Sequence, residues 1–400
     1  MLTRRAFLTA MAASAVVASP LAKRQFSYGS TPVRGVNIGG WLLLEPWITP
    51  SVFEPFDESV VDEYTLCQNV PNAADILRGH WDSWVSLGDF QKIANNGFNL
   101  VRIPIGYWAF QKYDGDPYIQ GAADYLETAI GWARETGLKV WIDLHGAPLS
   151  QNGFDNSGQR TSTPGWTTGD TVEATLDVIG KISQQYGTAE YADVVVGIEL
   201  LNEPLMQLLS GGKSATQGYY QSGFDIVRQS GQTPVVIQDG FDDPSSWNGF
   251  LTGQGSSGAL VDHHEYQCFT NELVALSPED HVNYVYSRAQ EWAQGQDKFV
   301  ICGEWTAAMT DCAPGLNGRG TGARYDGTYD SSTYVGSCAT INDIDQWTHY
   351  QKSTTADYIR AQLNVFESQI QGWIFWNFKT EAASEWDLFR LIDNGVWPAL

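Results

Sequence analysis

Eight apolar runs punctuate the chain, at 33–41, 98–106, 139–146, 194–204, 234–240, 258–267, 298–305 and 372–379. Each is nearly continuous in aliphatic and aromatic residues, the pattern of strands covered on both faces. The segments between them carry a helical period. "AADYLETAIGWARETG" and "DTVEATLDVIGKISQQYG" space their apolar residues three and four apart, and each closes on a glycine, a common helix stop. Stretches near 84–95, 215–230, 279–294 and 354–370 read the same way, while the connection "FDDPSSWNGFL" is short. Strand and helix in repeated alternation predict an α/β protein built as a single (β/α)8 barrel. An open doubly wound sheet is the competing architecture. Its G-x-G-x-x-G turn after the first strand is missing, because "GVNIGGW" lies within the strand.

The N-terminus breaks the pattern. In "MLTRRAFLTAMAASAVVASPLAKR", Arg4 and Arg5 precede an apolar stretch too short to span a bilayer, followed by small residues suited to signal cleavage. Residues 1–24 therefore read as a secretory leader ending in a dibasic site, Lys23-Arg24. The folded domain is expected over 25–400, and the protein is expected outside the cell, as a monomer with no membrane span. Losing the leader's four basic residues takes the formal charge from −23 to −27. Such a surface repels phosphate backbones and excludes nucleic acid as a partner.

Aromatic residues make up 13% of the chain, with 16 tryptophans, a bias that suits a carbohydrate partner because sugars stack their C–H faces on rings. Most of these rings are nevertheless expected in the core. An extracellular setting permits disulfides. Of five cysteines, Cys312 and Cys338 flank a Gly- and Tyr-rich loop that needs a staple more than the strands do, and they are expected to pair. Cys302 lies within a strand and reads as a buried, inert thiol. No Asn-x-Ser/Thr sequon occurs, so N-glycosylation is not expected.

In a barrel of this kind the chemistry sits at the C-terminal ends of the strands. Here those ends are polar: Glu45, Arg102, Asp143 with His145, Asn202 with Glu203, His264 with Tyr266, Glu304 beside Trp305, and Trp376. Ionisable groups gathered on one face of an apolar barrel are costly to bury without a use. Glu203 and Glu304, at the ends of strands four and seven, suit a carboxylate pair for glycosidic bond hydrolysis, one donating a proton and the other facing the anomeric carbon.

The segments "RGVNIGGWLLLEPWITPS", "FNLVRIPIGYWAF", "DLHGAPLSQNGFDNSG", "LLNEP", "GEWTAAMTDC", "GARYDG" and "WIFWNFKTE", in this order from about residue 33 to the C-terminus, resemble fungal exo-β-1,3-glucanases of glycoside hydrolase family 5. That resemblance implies a (β/α)8 barrel, a retaining mechanism and no cofactor or metal. It also implies roles: Glu203 as acid/base, Glu304 as nucleophile, Asn202 on the sugar 2-hydroxyl and Arg102 orienting the nucleophile. His145, His264 and Tyr266 would complete the hydrogen bonding, Glu45 would hold distal hydroxyls, and Trp376 would form the floor. Phe154, Asp155, Asn156 and Phe269 would line the mouth.

Some positions depart from the family pattern. "HEYQCF" places Glu265 and Cys268 at altered positions, "WNFKTE" brings Asn377 and Phe378, and the loop after strand three continues as "GQRTSTPGWTTGD". A related branch of the family, the fungal rutinosidases, releases rutinose from flavonoid glycosides with the same reacting sugar, and is the alternative to a glucanase. A metal-dependent hydrolase would need histidines that strand one lacks. A non-catalytic wall-binding barrel would not need both glutamates.

Overall fold

The apolar runs do fold as strands buried on both faces. In the computed structural model, which describes residues 26–253 and 258–400, they are β1 (Val33–Asn37), β2 (Leu100–Gly106), β3 (Lys139–Gly146), β4 (Val195–Glu199), β5 (Val235–Gln238), β6 (Ala259–His264), β7 (Val300–Glu304) and β8 (Gly372–Phe375). All neighbours pair in parallel and β8 closes on β1, giving a barrel in sequence order. The expected leader lies outside the described residues.

The helices are α1 (Pro50–Phe53), α2 (Glu63–Asn69), α3 (Ala73–Trp84), α4 (Leu87–Asn95), α5 (Ala122–Thr136), α6 (Thr171–Tyr186), α7 (Gly212–Ser230), α8 (Asn271–Val274), α9 (Pro278–Ala293), α10 (His349–Gln369) and α11 (Leu388–Asp393). α5 stops on Gly137 in the left-handed region (φ 81°), as its sequence predicts. α10 starts from a capping box in which Thr348 and Gln351 satisfy each other's backbone N–H groups.

Several strands are shorter than their apolar runs. The fourth stops at Glu199 rather than running on to Glu203, and the first stops at Asn37 rather than Trp41. Beyond these points single hydrogen bonds to neighbouring strands persist without a continuous ladder: Ile38 N–H donates to the Arg102 carbonyl of β2 and Leu200 N–H to the Val236 carbonyl of β5, while Gly39 N–H turns to the Asn377 side chain. The apolar residues past these strand ends, Ile38, Trp41, Leu200 and Leu201 among them, stay in the main core.

The barrel floor is filled by Val33, Leu100, Trp141, Val196, Val236, Leu260, Ile301 and Ile374. Tyr28 closes it from below, accepting a hydrogen bond from Trp141 Nε1 and donating one to the Val196 carbonyl, both 2.7 Å. A second apolar layer lies between strands and helices and takes up most of the tryptophans. Among the described tryptophans, Trp47, Trp376 and Trp386 alone line the cavity at the opposite, C-terminal end of the strands, so most of the aromatic bias is core, as expected.

Cys312 and Cys338 form a disulfide with their Cα atoms 5.2 Å apart, while Cys302 is a buried free thiol. The bridge closes a loop of sequence separation 26, which in the chain-entropy description contributes about 3–4 kcal/mol. Cys338→Ser is expected to lower the melting temperature relative to the unmodified protein. A reducing agent should bring the two melts together.

Candidate active site

The strand register determines which polar groups meet. Asn37 pairs with Arg102, Asp143 with Glu199, and His264 with Glu304, so the inward polar residues form a layer above the apolar floor. Arg102 is fully buried at its centre. Its guanidinium grips Glu199 with two bonds (2.7 and 3.1 Å) and donates to Glu304 Oε1 (2.8 Å), Asn202 Oδ1 (2.8 Å) and Asn37 Oδ1 (3.0 Å). Asp143 and Asp262 stand at 3.2 and 3.5 Å. Burial opposes the charge on Arg102, but Asp143, Glu199, Glu304 and Asp262 outweigh it and hold the guanidinium ionised.

Asp262 needs room. A Cβ at position 303 would sit 1.9 Å from its carboxylate, so Gly303 clears the space one residue before Glu304. Sequence reasoning missed Glu199 and Asp262. The available signal was an acidic residue within a buried strand, Glu199 in VVGIE and Asp262 in ALVDHH, which requires a buried partner such as Arg102.

Glu203 and Glu304 face one another across this layer. One oxygen of each, with a nitrogen of His264, lies in a cluster whose members are within 4.8 Å of one another. His264 Nδ1 is 2.8 Å from Glu203 Oε1 and 3.5 Å from Glu304 Oε2, and its Nε2 is 3.3 Å from Asp262. Burial disfavours charge on this ring, yet Glu304 and Asp262 hold its pKa well above the ordinary histidine range. Tyr266 donates its hydroxyl to Glu304 Oε2 at 2.7 Å, and Asn156 Nδ2 donates to Glu203 Oε2 at 3.0 Å. His263, next to His264, turns the opposite way, towards Asp239 and Glu265.

Glu203 occupies the left-handed backbone region (φ 44°), where a side chain costs on the order of 1–3 kcal/mol. Hydrogen bonds from Asn202 N–H to the Leu144 carbonyl and from Leu205 N–H to the Gln151 carbonyl hold the turn on either side. Gln151 also donates to the carbonyls of His145 and Asn202. His145 Nδ1 donates to Asp143 (2.6 Å), which leaves its Nε2 to accept from Asn202 Nδ2 (3.4 Å). The His145 ring stacks on Trp376, with centroids 5.6 Å apart. Trp376 precedes a cis peptide bond to Asn377.

The cavity above these groups has a volume of about 490 Å3. Of the residues expected at the site, Glu45, Phe154, Asp155, Asn156, Glu203, Tyr266, Phe269, Glu304 and Trp376 line it. Arg102, His145, Asn202 and His264 instead stand behind that lining. Arg102, grouped by sequence with the substrate contacts, is 0% exposed and acts through the carboxylates it holds.

Sequence reading did not find Phe241, Trp47, Trp386, Arg160, Asn317, Arg324 or Tyr329, which also line the cavity. They come from loops whose course no strand or helix period encodes. Phe154, Phe241 and Phe269 expose their rings at the mouth. Deeper in, Glu45 accepts from Trp47 Nε1 (2.9 Å); burial and the neighbouring charge of Asp155 keep its carboxyl well above the usual range. Burial likewise pushes Asp155 up to about 7. Both can donate as well as accept hydrogen bonds in acid solution.

Among the described residues two clusters have the composition of a cation site, Glu199–Asp262–His264 and Glu203–His264–Glu304. Arg102 and His264 already meet the negative charge in both, so a metal ion would have to displace those pairs.

Residues 77–324 match the sequence profile of the Cellulase family, glycosyl hydrolase family 5. The chain belongs to glycoside hydrolase family 5. This hydrolase is 46% identical over 398 residues to a glucan 1,3-beta-glucosidase of Lachancea kluyveri, covering 94% of this chain and 88% of that one. It is 45% identical over 400 residues to glucan 1,3-beta-glucosidase I/II of Saccharomyces cerevisiae, with the same coverage. In three dimensions the family 5 barrel resembles a rutinosidase from Aspergillus niger, with a TM-score of 0.75 at 19% identity, covering 94% of this chain and all of that one.

The positions at which the hydrolase departs from the glucanase pattern mostly avoid the cavity. Glu265 faces His263, Cys268 is buried in the apolar cluster that includes Trp376 and Trp386, and Asn377 ties the chain after β8 to Gly39. Phe378 packs on Trp84 and Phe389. The loop after β3 is the exception, reaching the cavity through Arg160.

Proposed function

We propose that this hydrolase is a secreted, monomeric, retaining exo-β-1,3-glucanase that releases glucosyl units by double displacement. In this reading residues 1–24 are removed as a leader and 25–400 form the enzyme. The observation that carries the mechanism is the approach of Glu203 and Glu304, whose carboxylate oxygens come within 4.8 Å. Direct attack by one carboxylate calls for a separation of about 5–5.5 Å, whereas an intervening water needs about 6.5–9.5 Å.

Glu304 attacks the anomeric carbon while Glu203 gives its proton to the leaving oxygen. A water then enters, loses its proton to Glu203 and releases the sugar from Glu304. Arg102 and Tyr266 aim the two oxygens of Glu304. Asn202, fixed by Arg102 and His145 just behind the lining, is the amide that a sugar seated against Glu304 would meet with its 2-hydroxyl. Trp376 is the floor, and Glu45, Asp155 and Asn156 hold the outer hydroxyls. Phe154 and Phe269 clasp the departing part of the substrate.

Burial acts to raise Glu203, but His264 and Asn156 outweigh it and hold this carboxyl below the ordinary range, while burial raises Glu304 above it. The reaction needs one proton on the pair, and the two groups titrate together. A glycosidic oxygen against Glu203 accepts that proton's hydrogen bond, and positive charge growing at the anomeric carbon favours charged Glu304. Activity is lost at low pH when a second proton binds and at high pH when the shared proton leaves. The acid limb of kcat/KM is therefore expected below the ordinary carboxylate range and the alkaline limb above it, giving a broad maximum on the acid side of neutrality. A narrow optimum above pH ~8 would contradict this pairing.

The substrate class is tested by incubating the protein with laminarin and, separately, with rutin, then separating the released sugars. Glucose from laminarin with rutin untouched is the expected result. Rutinose from rutin with laminarin untouched would overturn the glucanase reading in favour of a rutinosidase.

A further inference from the structure

A second surface carries features that the catalytic pocket does not use. On the outer wall of the barrel, α9 and α10 lie side by side and leave between them a groove of about 570 Å3, within the size range of ligand clefts. Two tyrosine rings flank it, Tyr286 of α9 (51% exposed) and Tyr350 of α10 (64% exposed). Glu279, Asp357, Arg360 and Asn364 supply its polar groups. Arg360 and Asn364 also line an adjoining hollow of about 470 Å3. From Tyr350 to Asn364 the line of contact follows α10 for about 21 Å at the helical rise.

The groove begins at the catalytic face. Barrel helices run back against their strands, so the helix starts, where Glu279 and Tyr350 lie, are on the side of the strand C-terminal ends. We propose that this groove is a second, non-catalytic binding site for a β-glucan chain, which holds polymeric substrate against the wall beside the pocket; this rests on the glucanase reading above.

The chemistry of the groove selects a neutral polyol. Exposed tyrosines offer flat apolar faces with a polar edge, and carboxylate, amide and guanidinium groups match sugar hydroxyls as acceptors and donors. The charge of Arg360 is taken up by Asp357 one turn away, which leaves no free cation for a polyanion. Beyond the two rings the apolar lining is Pro278, Val282 and Ala361, interleaved with the charged and amide groups, a mixed face rather than the large contiguous apolar patch that a protein partner buries.

The test compares the unmodified protein with Tyr286→Ala/Tyr350→Ala and Tyr286→Phe/Tyr350→Phe. Retention on insoluble β-1,3-glucan is measured by co-sedimentation, and kcat/KM on an aryl β-glucoside is measured alongside. The alanine variant is expected to bind the glucan about tenfold more weakly, from two lost stacking contacts. The phenylalanine variant should keep most of its retention, and both should turn over the aryl glucoside as the unmodified protein does. Equal retention by the alanine variant and the unmodified protein would overturn the proposal, as would equal losses in the two variants. Retention does not depend on which glycoside the pocket cleaves, so cleavage of rutin alone would defeat the pocket reading while leaving this comparison decisive for the groove.

Discussion

Glu304→Ala is expected to lower kcat on an aryl β-glucoside by about 10^4-fold or more, with the protein still folded. Arg102 keeps Asp143, Glu199 and Asp262 as partners in that variant, so the buried charges remain matched. The stereochemistry of rescue by azide separates the two glutamates. With Glu304 gone, azide attacks from the vacated face and gives the α-glucosyl azide. In Glu203→Ala the glycosyl-enzyme forms from an activated substrate, azide attacks from the opposite face, and the β-product results. A β-azide from the Glu304 variant, or near-normal turnover by it, would reverse or remove the assignment.

The largest effect on stability is expected from Arg102→Met. One guanidinium meets four carboxylates, and removing it leaves Glu199, Asp143 and Asp262 buried with His264 as the remaining cation nearby. Breaking a buried pair from one side costs about 3–5 kcal/mol. The pH dependence gives a sharper test. Burial already raises Glu199 against the pull of Arg102, and loss of Arg102 raises it further. The folded variant then binds more protons than the unfolded chain, so its stability falls as pH rises. Thermal melts should show a deficit against the unmodified protein that is larger at pH 7 than at pH 4. A deficit independent of pH would mean lost packing rather than stranded charge.

The sequence shows the barrel readily because parallel strands covered on both faces must be apolar throughout. The same property hides where each strand ends. "GIELLNEP" is apolar past the point at which β4 stops, because Leu200 and Leu201 remain in the main core, Leu200 against Gly223 of α7. Glu203 and Glu304 were legible as carboxylates at strand ends. Glu199 was not, since one glutamate in an apolar run acquires meaning only when its register with Asp143 and its distance to Arg102 are known. Phe241 and Arg324 belong to irregular connections, where spacing along the chain says little about position in space. The disulfide was legible because a loop rich in glycine between two cysteines has little core of its own to order it.

Tyr28, hydrogen-bonded to Trp141 and Val196, brings the polypeptide in through the floor, at the pole of the barrel away from Glu203 and Glu304. A carrier, tag or solid support joined ahead of Phe26 would therefore sit a full barrel height from the cavity mouth. Immobilised by that end, the enzyme would present its open face outward to a particle of substrate.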